Sequence, residues 1–98
     1  MCYSIIILFV LNLAMKIKVY STPTCPYCKL VKDYLVEQQL PFEDIDVAAN
    51  GEAAKEMVKI SGQMGVPVVD INGQIIVGWN KQALEDVLQH QRQAMAAA

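Results

Sequence analysis

The stretch Ser21-Thr22-Pro23-Thr24-Cys25-Pro26-Tyr27-Cys28 decides how this chain is read. Before it, Lys16 to Ser21 alternates in polarity and is rich in β-branched residues, which predicts a strand. After it, Tyr27, Leu30, Val31, Tyr34 and Leu35 recur at helical spacing, predicting a helix from Pro26 to Gln39. Pro26 suits the first turn of that helix because its missing N–H would have found no partner there. The polar turn thus sets Cys25 where loop becomes helix. Unpaired amide N–H groups and the helix dipole favour negative charge at that point. Such surroundings, with Lys29 and Lys32 adding positive charge, lower a thiol from ~8.5 into the range ~3.5–7.5. Cys25 is therefore the expected nucleophile. Cys28, one turn into the helix and more covered, is the expected resolving thiol, which displaces the product from a mixed disulfide.

Two other readings of the pair are a structural pair of thiols and half of a metal site. A tetrahedral zinc site needs four ligands, and outside the pair only Cys2 and His90 remain, both near chain ends. Redox chemistry is the reading adopted.

Size and composition narrow the field. The chain has 98 residues, 54% of them hydrophobic and only 18% charged, as in one compact domain. Its net charge of −2 offers no broad basic surface for nucleic acid. Three cysteines are too few and too uneven for a secreted disulfide framework, so a reducing, cytoplasmic setting is expected. Residues 1–14 form an apolar extension. It has no basic residues ahead of its apolar run, unlike a secretory signal, and is shorter than the roughly 20 residues of a membrane span. Met15 is the expected natural start, with an added interface element or a membrane anchor as alternatives. Membrane contact is not expected, and a monomer is, unless the extension drives association.

The rest of the chain continues the pattern. Phe42 to Val47 reads as a second strand. Asn50 is placed to cap a helix over Gly51 to Ser61, with Ala54, Met57, Val58 and Ser61 on one face and Gly62 ending it. Val66 to Ile71 and Gln74 to Val77 flank Asn72-Gly73, a strong hairpin signal. Asn80 can cap a last helix from Lys81 to about Gln91, with Leu84, Val87 and Leu88 facing inward. Residues 92–98 read as a frayed tail. The order β-α-β-α-β-β-α makes an α/β fold, a four-stranded mixed sheet flanked by three helices. Pro67 opens what should be a central strand, which is costly unless it stands at the strand's first residue.

Cys-Pro-Tyr-Cys after a strand, Val66-Pro67 opening the third strand, and a Gly-containing turn before the last helix together resemble glutaredoxin over residues 15–91. The resemblance implies a thioredoxin fold, thiol–disulfide oxidoreductase activity and a cis peptide before Pro67. It implies that Cys25 is the exposed nucleophile and that Tyr27 shapes a substrate groove, with Thr22, Pro26, Val66, Pro67, Gly78, Trp79 and Asn80 around it. The partners it implies are disulfide-bearing proteins, with glutathione as reductant or, alternatively, a thioredoxin reductase. No tightly bound cofactor is expected. Departures from the family pattern are specific. Thr22 stands where many relatives carry lysine, Gly65 where threonine is common, and Gly78-Trp79-Asn80-Lys81 where an acidic pair usually ends the turn. Asn80 can accept a hydrogen bond from a glutathione ammonium, but Lys81 would repel it. Trp79 is read as a partner contact, with a core residue as the alternative, Gln63 as a solvent-facing loop residue or else a contact to a substrate carboxylate, and Asp44 and Asp46 as a solvated strand face. His90 is assigned no role, and Cys2 is read as a bystander.

Overall fold

The computed structural model describes residues 16–97. Expectations for Cys2, Met15 and the apolar extension lie outside the described residues. The elements are β1 (Ile17–Ser21), α1 (Pro26–Glu37), β2 (Glu43–Asp46), α2 (Gly51–Ser61), β3 (Val68–Ile71), β4 (Gln74–Val77) and α3 (Lys81–Ala97). They form one four-stranded sheet in the order β2-β1-β3-β4. β1 pairs with β2 in parallel, and both β1–β3 and β3–β4 are antiparallel. The α/β fold and the β-α-β-α-β-β-α order are as expected.

Strand alternation assigns side chains to two faces. Ile17, Val19, Val69 and Ile71 meet Val31, Tyr34 and Leu35 of α1 and Leu84 and Leu88 of α3. On the opposite face Tyr20 and Val68 meet Met57 of α2. Leu35 and Leu84 are fully buried, each burial contributing about 2 kcal/mol. Helices thus cover both faces, and α1 is fixed with its first turn at the carboxyl end of β1.

Local signals set most boundaries. Asn50 Oδ1 accepts from the Ala53 amide at 3.2 Å, and Gly62 closes α2 in the left-handed conformation at φ 74°. Asn72 and Gly73 take positive φ in the hairpin turn, where Asp70 Oδ1 accepts from the Gly73 amide.

Several expectations are corrected. Helix α1 ends at Glu37, short of Gln39, because Gln39 takes φ 57° and Leu40 donates back to the Leu35 carbonyl at 3.0 Å. The buried face of α2 is Ala53 and Met57, with Ile60 beside them, while Val58 is exposed, because the helix is rotated towards Tyr20 and Val68. Strand β3 starts at Val68, since Pro67 has no N–H for the ladder. Helix α3 runs through the expected tail to Ala97, as no Gly or Pro interrupts its last turns.

Candidate active site

Cys25 is the N-cap of α1, with φ −90° and ψ 113°. This extended geometry turns its side chain back over the first turn, where Sγ accepts the Cys28 amide at 3.1 Å. Several amides were expected at this sulfur. Among the described residues the Cys28 N–H is the one backbone amide hydrogen-bonded to it. The Cys25 amide donates to the Thr22 carbonyl at 3.4 Å, which ties the thiol to the end of β1. Cys25 is half-buried, Cys28 is fully buried, and both thiols are free.

Cys28 is held protonated. Burial is the main cause, and its hydrogen bond with Cys25 adds to the effect, so the thiol is pushed up to about 11. The Thr22 backbone and the charge of Lys32 oppose that rise. A fully enclosed sulfur behind a half-open one is a pairing in which one thiol meets the target and the other waits.

The Val66–Pro67 peptide is cis. The Cys25 thiol points at the Val66 carbonyl at 4.0 Å. Gly78, at φ 79°, donates its amide to the Pro67 carbonyl at 2.8 Å, which brings the turn after β4 beside Val66-Pro67. Thr22, Cys25, Val66, Pro67 and Gly78 are thereby linked through backbone hydrogen bonds and the Cys25 thiol. Tyr27 projects from the first turn of α1 and is 60% exposed. Pro26 is exposed at the helix start.

Other expected site residues sit differently. Trp79 packs edge-on against Tyr34, with ring centroids 6.0 Å apart and planes at 67°. Tyr34 lies more than two turns along α1 from Cys25, and the half-buried indole packs against the core there. Asn80 Oδ1 caps α3 by accepting from the Ala83 amide at 3.0 Å. Lys32 pairs with Asp44 at 3.1 Å rather than standing free beside Cys25.

Asp44 and Asp46 are not a plain solvated face. Asp44 Oδ1 accepts the Ser21 hydroxyl at 2.7 Å and its Oδ2 accepts from Lys32. Burial pulls the Asp44 carboxyl upward, but those hydrogen bonds and the lysine charge outweigh it and hold it below the ordinary carboxylate value. Asp46 accepts from the amides of Ala48 and Ala49 in the turn that follows β2.

Two features had no clear signal in the sequence. Met64 is 83% exposed, two residues before Val66. Gln63 does not extend into solvent: its side chain folds onto Gly65, bonding both the amide and the carbonyl of that residue. The Gly65 that replaces the family's usual threonine was the available hint. Among the described residues, no cluster of His, Cys, Asp and Glu could hold a metal ion, and no helix is long and apolar enough to cross a membrane.

A mixed sheet of this order, with two cysteines at the start of its first helix and a cis-proline loop facing them, is a thioredoxin fold with a dithiol site. The glutaredoxin family profile matches residues 17–76, and the chain belongs to the glutaredoxin family. It is 47% identical over 73 residues to a protein of Clostridium pasteurianum described as an uncharacterized glutaredoxin-like 8.6 kDa protein in a rubredoxin operon; the match covers 74% of this chain and 97% of that one. Glutaredoxin 3 of Escherichia coli K12 is 34% identical over 62 residues, covering 63% of this chain and 75% of its own. Among solved structures, a glutaredoxin from Archaeoglobus fulgidus superposes with a TM-score of 0.69 at 26% identity, covering 74% of this chain and 84% of its own.

Proposed function

We propose that this chain is a dithiol–disulfide oxidoreductase that reduces protein or low-molecular-weight disulfides through Cys25 and Cys28. One observation carries the reading: a half-exposed sulfur at a helix N-cap, holding the Cys28 amide at 3.1 Å, with the second thiol fully enclosed behind it. The Cys25 thiolate attacks the target disulfide, forms a mixed disulfide and releases one half of the target as a thiol. Cys28, losing its proton, then attacks Cys25 Sγ and releases the other half, which takes up a proton. The two electrons that break the target's S–S bond come from the two cysteines, which end as a disulfide. The Val66 backbone beside Cys25 suits strand-like pairing with the target's extended chain, and exposed Tyr27 borders that approach.

Replacing Cys25→Ser should abolish reduction of a model disulfide. Replacing Cys28→Ser should leave the first attack intact and trap the mixed disulfide, read by mass spectrometry. Equal loss in both variants with no adduct overturns the assigned roles.

Glutathione is the reductant that the family and the Cys-Pro-Tyr-Cys motif support. A second reading makes the chain a dedicated electron carrier to one partner enzyme, recycled by a thioredoxin reductase. It is favoured by cationic Lys81, and by the internal bonds of Gln63 and Asn80, which compete with a glutathione end group for those side chains. The Clostridium relative's description, placing it in a rubredoxin operon, fits a carrier with a fixed partner. Supplying either glutathione with its reductase, or thioredoxin reductase alone, and measuring which restores the dithiol decides between them. A reducing compartment such as the cytoplasm, where thiol pools keep such pairs reduced, suits this function.

A further inference from the structure

We propose that Lys32, anchored by Asp44, is a positioning residue for the second half of the exchange, easing proton loss from the enclosed Cys28 so that it can resolve the mixed disulfide. The inference rests on the dithiol reading above and assigns a role that the sequence had directed to Cys25.

Geometry carries it. Lys32 stands one helical turn beyond Cys28, on the same face of α1. Cys25 is two turns away, roughly 10 Å along the axis. The Lys32 ammonium is held at 3.1 Å by Asp44 Oδ2, and Asp44 is fixed in turn by the Ser21 hydroxyl at 2.7 Å. Ser21 is itself buried and precedes Thr22, whose carbonyl holds the Cys25 amide. A lysine left alone would extend into water; this one is drawn against the sheet, its side chain only 27% exposed, where a charge is less screened.

After burial, the groups that act on the charge of Cys28 are the Cys25 sulfur on its own helix, the Thr22 backbone at the end of β1 and, last, Lys32 one turn further along α1. Asp44 of β2, in contact with the Lys32 ammonium, is held below the ordinary carboxylate value and so stays ionised at neutral pH. The Thr22 backbone favours the Cys28 thiolate against burial first, and Lys32 is the one charged side chain that adds to it.

In the resolving step Cys28 gives up its proton, its sulfur bonds Cys25 Sγ, and the Cys25–target S–S bond breaks. The departing thiolate then takes a proton, so charge and atoms balance. Without the ammonium the anion forms less readily, and resolution needs a higher pH.

In the full chain carrying Cys2→Ser, which removes the third thiol, dithiobis(nitrobenzoate) releases one coloured thiolate on attack by Cys25 and a second on resolution by Cys28, so stopped-flow absorbance reads both steps. In Lys32→Gln the first release should stay within about twofold of wild type. The second should slow by about threefold to tenfold at neutral pH, the order expected of one partly screened charge, and recover as pH rises. Lys32→Arg should restore the wild-type profile, which a purely packing role would not require. Equal slowing at every pH, equal slowing of both releases, an unchanged second release, or failure of Lys32→Arg to rescue each overturns the proposal. Absence of the first release in the wild type is a different failure, that of the dithiol reading itself.

Discussion

Gln63 closes a ring on Gly65: its Oε1 accepts the Gly65 amide at 2.6 Å and its Nε2 donates to the Gly65 carbonyl at 2.9 Å. The side chain imitates a neighbouring strand and fixes the loop that carries Met64 and leads into Val66-Pro67. A Cβ added at Gly65 would stand 2.8 Å from Gln63 Oε1, so the ring and a larger residue exclude each other. The clashing atom is the end of a flexible side chain, which can swing away at small cost.

Replacing Gly65→Thr should therefore open the ring while leaving the fold intact. The expected loss of stability is about 1 kcal/mol, since both bonds are near solvent. Amide exchange at position 65 should accelerate, and turnover with glutathione should rise as Gln63 becomes available. Unchanged exchange at that amide would remove the ring from the account of specificity.

Gln39 ends α1 in the left-handed conformation at φ 57°, where a side chain crowds its own backbone. It is exposed, and its amide already completes the helix end by donating to the Val36 carbonyl at 2.9 Å. Gln39→Gly should stabilise the domain by about 1 kcal/mol, raising Tm by roughly 4–8 °C. A lower Tm would show that the side chain contributes more than its backbone costs.

The Cys28 thiol gives stability a pH dependence on the alkaline side. Its folded value is raised to about 11, above the ordinary 9.0. The folded state therefore prefers the neutral thiol more than the unfolded chain does. That contribution is fully present below pH 9 and is lost as pH climbs through about 11. Chemical denaturation of the reduced protein should show a wild-type decline over this window that is smaller in Cys28→Ser. At neutral pH, iodoacetamide should label Cys25 and spare enclosed Cys28; equal labelling of both would contradict the enclosed geometry.

What could be read from the sequence was whatever depends on neighbours along the chain. Asn50, Gly62 and Asn80 act within one helical turn, and Asn72-Gly73 within one hairpin, so each marks its boundary without reference to the rest of the molecule. Cys25 was legible for the same reason: a proline at the next residue and helical spacing beyond it already place the sulfur at an N-cap. Tertiary structure alone decided what lies across the sheet and between helices. Ser21, Asp44 and Lys32 belong to three elements and meet only because β2 pairs in parallel with β1 at one register, a pairing set by which faces bury their apolar side chains. Trp79 likewise meets Tyr34 because α1 and α3 share one face of the sheet. Short-range stereochemistry is written residue by residue; long-range contact follows from packing the whole chain at once.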